Sequence, residues 1–80
     1  MLIFELISPD APIAAEKVAM VTLPAEGGLI GVLPGHAPFA STLRPGYVKL
    51  QDASGKILAS HFVAEGFVNV SAERCIILAE

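Results

Sequence analysis

The sequence predicts an all-β domain, a small antiparallel β-sandwich or flattened barrel of about 8–10 short strands. Two observations carry this prediction. Turn-forming residues recur at intervals of about eight to twelve positions, and the segments between them are short and rich in Val, Ile, Leu and Phe. Helices of ordinary length do not fit between such closely spaced breaks. We expect residues 1–80 to form a single domain.

The turn signals delimit the candidate strands. In chain order, we predict strands at residues 2–7, 14–23, 29–33, 39–43, 47–51, 56–64, 67–71 and 75–79. Val48 and Leu50, and later Val68 and Val70, alternate with other residue types, so these two strands should each have one solvent-facing side. The segment 56–64 is apolar on both of its faces, which favours a central strand that is covered on both sides.

One segment, Ala11 to Met20, could instead form a helix. It contains several good helix formers, among them Ala14, Ala15 and Glu16. The β-prone residues that follow, at positions 21–23, favour a strand that runs through the whole region. We therefore predict a strand here and retain the helix as the alternative.

Composition and charge exclude several classes of function. Hydrophobic residues make up 54% of the chain and charged residues 16%, which excludes intrinsic disorder. The apolar runs are much shorter than the ~20 residues of a membrane-spanning helix. The net charge of −3, with five scattered basic residues, offers no basic stripe, so we expect no nucleic-acid partner. The amino terminus lacks secretory features and Cys75 is the only cysteine, which predicts a cytoplasmic location.

Few residues could support catalysis. Cys75 lies in an apolar run and is expected to pack as a small hydrophobic residue, and the glycosylation-like Asn69-Val70-Ser71 is expected to be a chance match. His36, His61 and Glu65 could supply metal ligands, so a small metal-dependent β-barrel enzyme is one alternative function. However, a spacing of four residues places His61 and Glu65 about 13 Å apart along a strand. We predict no catalytic residue, no metal and no cofactor.

Glycine and proline are concentrated between residues 26 and 46, which predicts a shaped loop system between short strands. His36 lies within it, where its ring could hydrogen-bond the loop backbone, contact a partner, or do both. The glycines do not form a phosphate-binding motif. The residues expected to shape these loops are Gly31, Pro34, Gly35, Pro38, Pro45 and Gly46.

These loops also carry a resemblance to a known family. The segment Glu26 to Pro38 contains Gly-Val-Leu-Pro-Gly-His-Ala-Pro, and Leu43-Arg44-Pro45-Gly46 follows at a fixed interval. Together with Phe4-Glu5-Leu6-Ile7-Ser8-Pro9 and the segment 64–70, this pattern resembles the N-terminal domain of the epsilon subunit of F-type ATP synthases. The resemblance spans nearly the whole chain.

The resemblance implies a ten-stranded β-sandwich at the foot of the rotating central stalk, bound to the gamma subunit and to the ring of c subunits. Such a domain performs no chemistry itself. It would lie on the cytoplasmic face of a bacterial inner membrane and associate with that membrane only through the complex. The resemblance further implies that Ser8 and His36 contact gamma beside an exposed apolar patch, and that Glu26, Gly28 and Leu29 meet the c ring.

The chain departs from the family pattern at two places. Gly28 occupies a position where the family usually has an acidic residue, and one additional residue is present near it, which leaves Glu26 as the nearest carboxylate. The chain ends at Glu80, about where the family's inhibitory C-terminal helices would begin. We therefore expect neither autoinhibition nor nucleotide binding from this polypeptide. A free-standing interaction domain is a further alternative function.

Overall fold

The computed structural model describes residues 1–80 and consists of strands joined by turns and short loops. It contains no helix long and apolar enough to cross a membrane. The strand count lies within the predicted range and is one fewer than the resemblance implies. The strands are β1 (Leu2–Ile7), β2 (Pro12–Val18), β3 (Met20–Ala25), β4 (Gly28–Val32), β5 (Phe39–Leu43), β6 (Gly46–Gln51), β7 (Ile57–Val63), β8 (Gly66–Val70) and β9 (Arg74–Ala79).

All nine strands belong to one hydrogen-bonded sheet that curls over on itself. Strands β2-β1-β9-β8-β5 form the five-stranded layer, and β4-β3-β6-β7 form the four-stranded layer. Neighbouring strands are antiparallel, as predicted, except that β1 and β9 are parallel. The register joins the two layers through one residue pair, Ala25 with Leu43. The result is a small β-sandwich, which confirms the predicted fold class.

A single apolar core lies between the two layers. Every strand contributes to a cluster of 16 buried hydrophobic residues, and no polar or charged side chain is buried. The predicted alternation is confirmed, since Val48, Leu50, Val68 and Val70 all lie in this core. Core burial is the main favourable term for a domain of this size, because each fully buried aliphatic side chain contributes about 1.5–3 kcal/mol.

The predicted strand 14–23 is wrong in one respect, because the structure divides it into β2 and β3. Val18 at the end of β2 pairs with Leu2 in the five-stranded layer, whereas Met20 pairs with Gln51 in the four-stranded layer. The chain therefore changes layer at Ala19, which belongs to neither strand. Local β propensity predicts extended backbone on both sides of such a crossing but does not reveal the crossing itself.

The prediction that segment 56–64 forms a central strand is also wrong. Strand β7 pairs only with β6 and forms an edge of the four-stranded layer. Its core-facing side includes Val63 and His61, whose ring stacks on Phe4 of the opposite layer with 6.3 Å between centroids. Leu58 and Phe62 lie on the other side, which is exposed. Apolar residues on a solvent-facing side look like buried ones in sequence, and this produced the error.

The glycine- and proline-rich segment forms a turn where the sequence predicts one. Pro34 and Gly35 occupy the centre of a turn closed by a hydrogen bond from the His36 N–H to the Leu33 carbonyl oxygen at 3.1 Å. Gly35 has φ +82°, a value that suits glycine and matches the third position of a type II turn. Pro38 precedes β5 and Pro45 precedes β6, so both lie in connections, as predicted.

Two other glycines of this segment lie in strands instead. Gly31 is inside β4, where an added Cβ would lie 2.6 Å from the Met20 Cε atom, and Gly46 is the first residue of β6. Both therefore allow close packing against a neighbouring strand. The prediction that they shape loops is wrong, because a glycine required for close approach carries the same sequence signal as a turn glycine.

Gly66 illustrates the same constraint between β8 and β9. A Cβ at this position would lie 2.7 Å from the carbonyl oxygen of Leu78. We expect Gly66→Ala to push the two strands apart and to lower the free energy of unfolding by about 1–3 kcal/mol. Gly27→Ala is the matched control, since its Cβ would meet no atom within 4 Å. Urea denaturation measures both, and equal stabilities of the two variants would contradict the constraint.

Cys75 lies in the core, as the sequence predicts, and burial raises the pKa of its thiol from 9.0 to about 12. The thiol therefore remains protonated in the folded chain under conditions in which the unfolded chain has lost the proton. A buried neutral thiol is neither a nucleophile nor a metal ligand, because both roles require the thiolate.

This shift predicts a specific pH dependence. Because the unfolded chain releases the thiol proton first, stability falls as pH rises from about 9 towards 12. We expect the stability advantage of the wild type over Cys75→Ala to shrink by about 1–2 kcal/mol between about pH 8 and pH 10.5. Urea denaturation at both pH values measures it, and other titrating groups cancel because both proteins contain them. An advantage that stays constant would contradict the raised pKa.

Candidate docking surfaces

The outer face of the five-stranded layer carries exposed apolar side chains near the end at which β1 and β9 finish. The register aligns Thr42 with Phe67, Phe67 with Leu78, and Leu78 with Ile7, so these side chains form one row across four strands. Phe67 is 42% exposed and Leu78 is 52% exposed, although both lie on interior strands of the layer. Exposed apolar residues that are grouped on a sheet face are typical of a surface that binds another protein. We call this surface the five-stranded face.

One ion pair lies on the five-stranded face. Arg74 donates a hydrogen bond to the Glu5 carboxylate at 3.0 Å, and the two residues form a partly exposed ion pair between β9 and β1. A pair in such a setting contributes at most about 1 kcal/mol to stability. Its consequence for the surface is that neither Glu5 nor Arg74 presents an isolated ion that an apolar partner would have to desolvate there.

A groove of about 1020 Å³ runs along one end of the molecule, where β1 and β9 finish. It brings together two of the residues that the sequence singled out, Ser8 and Glu26. Phe67 and Leu78 are among the residues that line it, together with three glutamate side chains and the guanidinium of Arg44. The lining residues are Ile7, Ser8, Pro9, Glu26, Thr42, Leu43, Arg44, Pro45, Glu65, Gly66, Phe67, Leu78, Ala79 and Glu80.

The Ser8 side chain closes the turn between β1 and β2. Its hydroxyl donates to the Ala11 carbonyl oxygen at 2.8 Å and accepts from the Ala11 N–H at 3.2 Å. The backbone N–H of Ser8 donates to the same carbonyl at 3.0 Å. The side chain is thus held by its own turn, and this structural role does not prevent a partner from contacting the turn surface.

His36 lies at the opposite end of the five-stranded layer. The Gly35 N–H donates to the Ala72 carbonyl oxygen at 2.6 Å, which attaches the loop to the turn between β8 and β9, far from Ser8. The His36 ring is half-buried, with its Nδ1 atom 2.7 Å from the Ala37 carbonyl oxygen and its centroid 5.3 Å from that of Phe39. The structure does not bring His36 and Ser8 together. The five-stranded face lies between them, and its strands are roughly 17 Å long.

The β3–β4 hairpin tip contains the residues that the resemblance assigns to the c ring. Leu29 is 75% exposed, and Gly28 adopts φ +128°, a conformation that strongly favours glycine. Glu26 differs from these two because its carboxylate is held by the neighbouring strand, accepting a hydrogen bond from the Thr42 hydroxyl at 2.7 Å. The tip therefore presents backbone and an apolar side chain, with its carboxylate turned towards β5.

Apart from Leu29, the exposed apolar residues were not predicted from the sequence to be functional. Phe67 and Leu78 lie on one face of the sandwich, and Tyr47, Leu58 and Phe62 lie on the outer face of the other layer. Their only signal in the sequence was that apolar residues occur at odd as well as even positions of a short strand, and so on both of its sides. That pattern is shared by strands that are buried on both sides, so it could not separate an interface from a core.

Chemistry-bearing side chains are dispersed over the molecule. No group of three or more His, Cys, Asp and Glu side chains is placed to hold a metal ion. His61 packs on Phe4, whereas Glu65 follows β7 in the turn that borders the groove. This arrangement offers no support for the metal-dependent enzyme considered as an alternative.

Comparison with known proteins identifies the family to which the chain is similar. Residues 1–80 match the family described as the beta-sandwich domain of the ATP synthase Delta/Epsilon chain. Among curated proteins, the ATP synthase epsilon chain of Rhodospirillum centenum is 46% identical over 78 residues, which cover 96% of this chain and 53% of the relative. That of Rhodospirillum rubrum is 43% identical over 77 residues, covering 96% and 57%. The chain thus spans about half the length of these relatives.

Solved structures agree with the sequence comparison. A chain in the cryo-EM structure of the Euglena gracilis mitochondrial ATP synthase, described as OSCP/F1/c-ring, superposes with a TM-score of 0.85 at 29% identity, covering 98% of this chain and 49% of that one. A chain of the Tetrahymena thermophila mitochondrial ATP synthase central stalk and c-ring superposes with a TM-score of 0.77 at 18% identity, covering 98% and 62%, and supports the fold alone. The family match extends over every residue of the sandwich. This chain therefore belongs to the ATP synthase delta/epsilon chain β-sandwich domain family.

Proposed function

We propose that this chain is the sandwich part of an ATP synthase epsilon chain and serves as a non-catalytic docking unit of the central stalk. The observation that carries the proposal is the exposed row of Phe67 and Leu78 in a chain whose relatives are named ATP synthase epsilon chains. A free-standing interaction domain would have the same fold. Similarity to epsilon chains over 96% of this chain favours the synthase.

The five-stranded face is the surface that we assign to the gamma subunit. It combines a row of exposed apolar side chains with an ion pair, which suits burial against another protein. Ser8 and His36, which the resemblance assigns to gamma, lie at its two ends. Their separation along the strands means that a partner contacting both would also cover the row of Phe67 and Leu78.

The β3–β4 hairpin tip is the surface that we assign to the c ring. Added Cβ atoms at Gly27 and Gly28 would meet nothing within 4 Å, so the backbone of another chain can approach this tip closely. Leu29 adds an exposed apolar contact beside it. Glu26 would act at the flank of the contact, because its carboxylate is already bound to Thr42.

A sandwich placed between these two partners would transmit torque as a stiff body. Of its 49 backbone hydrogen bonds, 38 lie within the strand ladders, and these resist shear between neighbouring strands. The close-packed core resists compression. We place the chain, with the rest of the complex, at the cytoplasmic face of a bacterial inner membrane, attached to that membrane only through its partners.

The gamma assignment can be tested on the row of Phe67 and Leu78. We expect Phe67→Glu to weaken binding to the gamma subunit at least tenfold, because the new carboxylate would be buried against an apolar partner. Tyr47→Glu is the matched control, an exposed aromatic on the other outer face, and should bind as the wild type does. Calorimetric titration with purified gamma subunit measures both. Equal affinities of the two variants, or no binding by the wild type, would contradict the assignment.

The c-ring assignment can be tested at the hairpin tip. We expect Leu29→Asp to reduce the amount of the chain that is recovered with the assembled c-ring complex. Its thermal stability and its affinity for gamma should stay unchanged, because this side chain is mostly exposed. The control is Ala53→Asp, an exposed residue in the turn between β6 and β7. Recovery of Leu29→Asp equal to that of the wild type would remove the tip from the ring contact.

A further inference from the structure

The β3–β4 hairpin extends past the strand that pairs with it in its own layer. β6 pairs with β3 only at residues 20–22, so the end of the hairpin lies beyond β6. There, two backbone hydrogen bonds hold it to β5 and to the residue that follows β5. The Arg44 N–H donates to the Pro24 carbonyl oxygen, and the Glu26 N–H donates to the Thr42 carbonyl oxygen. Beyond β6, the hairpin is therefore positioned by its crossing with the five-stranded layer.

One side-chain hydrogen bond reinforces this crossing. The Thr42 hydroxyl donates to the Glu26 carboxylate at 2.7 Å, so side chains as well as backbone join these two residues. Gly27 and Gly28 follow directly, with open space at both Cβ positions, and glycine restricts the backbone least of all residues. The bond from Thr42 therefore restrains the hairpin tip at the point where its backbone gains freedom.

Thr42 belongs at the same time to the five-stranded face. It pairs with Phe67 and stands at one end of the row that continues through Leu78. Thr42 and Glu26 line the same groove as Phe67 and Leu78. A partner that covers this row would therefore also cover the hydrogen bond between Thr42 and Glu26. This bond connects the two surfaces that we assign to different partners.

The strength of this hydrogen bond depends on its surroundings, because both of its residues are exposed. Water competes for the hydroxyl and for the carboxylate, so in the free chain the bond contributes only a modest free energy. When a covering partner displaces this water, the local dielectric constant falls and a hydrogen bond to an ionised group becomes stronger. Breaking the bond would then leave a desolvated carboxylate without its donor. A covered five-stranded face therefore favours a restrained tip.

We propose that Thr42 is a positioning residue that couples the two docking surfaces through Glu26. A partner on the five-stranded face strengthens the hydrogen bond from Thr42, and the restrained hairpin tip then binds the second partner more tightly. Ordering a segment before it binds removes part of the entropy cost of the second association, so binding of the two partners is cooperative. The coupling is reciprocal. This inference rests on the proposed assignment of the two surfaces to gamma and the c ring.

The test measures the affinity of the chain for the purified c ring in the absence and in the presence of saturating gamma subunit. The ratio of the two affinities is the coupling factor. We expect Thr42→Val, which keeps the shape of the side chain but lacks the hydroxyl, to lower this factor at least threefold. Thr42→Ser keeps the hydroxyl and should retain the factor. Contacts between gamma and the ring are common to all variants and cancel in the comparison.

Two further variants show whether the hydroxyl acts through the carboxylate. Thr22→Val is the matched control, because the Thr22 hydroxyl lies on the same hairpin but donates to the Gln51 side chain of β6. Its coupling factor should equal that of the wild type. In a Glu26→Ala background, Thr42→Val should cause no further loss, since the acceptor of its hydrogen bond is already absent.

The possible results separate this inference from the proposed function. A wild type that binds no gamma, or no c ring, would overturn the surface assignments and with them the coupling. Binding of both partners with the same coupling factor in the wild type and Thr42→Val would overturn the coupling alone. A factor lowered equally in Thr42→Ser would assign the effect to the methyl group instead of the hydroxyl. A loss from Thr42→Val that persists beside Glu26→Ala would show that Glu26 does not carry it.

Discussion

The fold depends on the crossing of the β5–β6 connection past the end of β3. The Arg44 N–H donates to the Pro24 carbonyl oxygen at 2.8 Å, and the Glu26 N–H donates to the Thr42 carbonyl oxygen at 3.2 Å. A Cβ on Gly46 would lie 3.1 Å from the Pro24 ring, so glycine lets the two segments approach. At this crossing two consecutive strands enter different layers. One sheet can therefore enclose its own core, and the 16 buried apolar residues form a single cluster.

Enclosing the core in this way leaves two outer faces that a chain of 80 residues cannot cover with polar side chains. Hydrophobic residues are 54% of the sequence, whereas the core takes 16 of them. The remainder includes Phe67 and Leu78 on one face, and Leu58 and Phe62 on the other. Small domains bury a limited fraction of their surface, and apolar groups that remain outside suit contact with partners. The small size of the domain, which leaves apolar residues on its surface, thus connects the fold to a role in assembly.

The sequence predicted well those features that depend on neighbours along the chain. The Pro34-Gly35 turn, the alternation of Val48 and Leu50, and the burial of Cys75 all follow from local chemistry. It was wrong where the outcome depends on distant partners. The break at Ala19 arises because its two sides pair with β1 and β6, and β7 lies at an edge because no strand pairs with its other side.

By itself, the sequence determined that the chain is all-β, where most of its turns lie, part of its core, and its resemblance to a family. Only the tertiary structure decided which apolar residues stay exposed, that Ser8 and His36 mark opposite ends of one face, and that the Glu26 carboxylate is bound to Thr42. The physical reason is that strand residues facing the core and strand residues facing a partner are both apolar, so residue type does not distinguish them. Which of the two it meets is set by pairings between segments far apart in the chain.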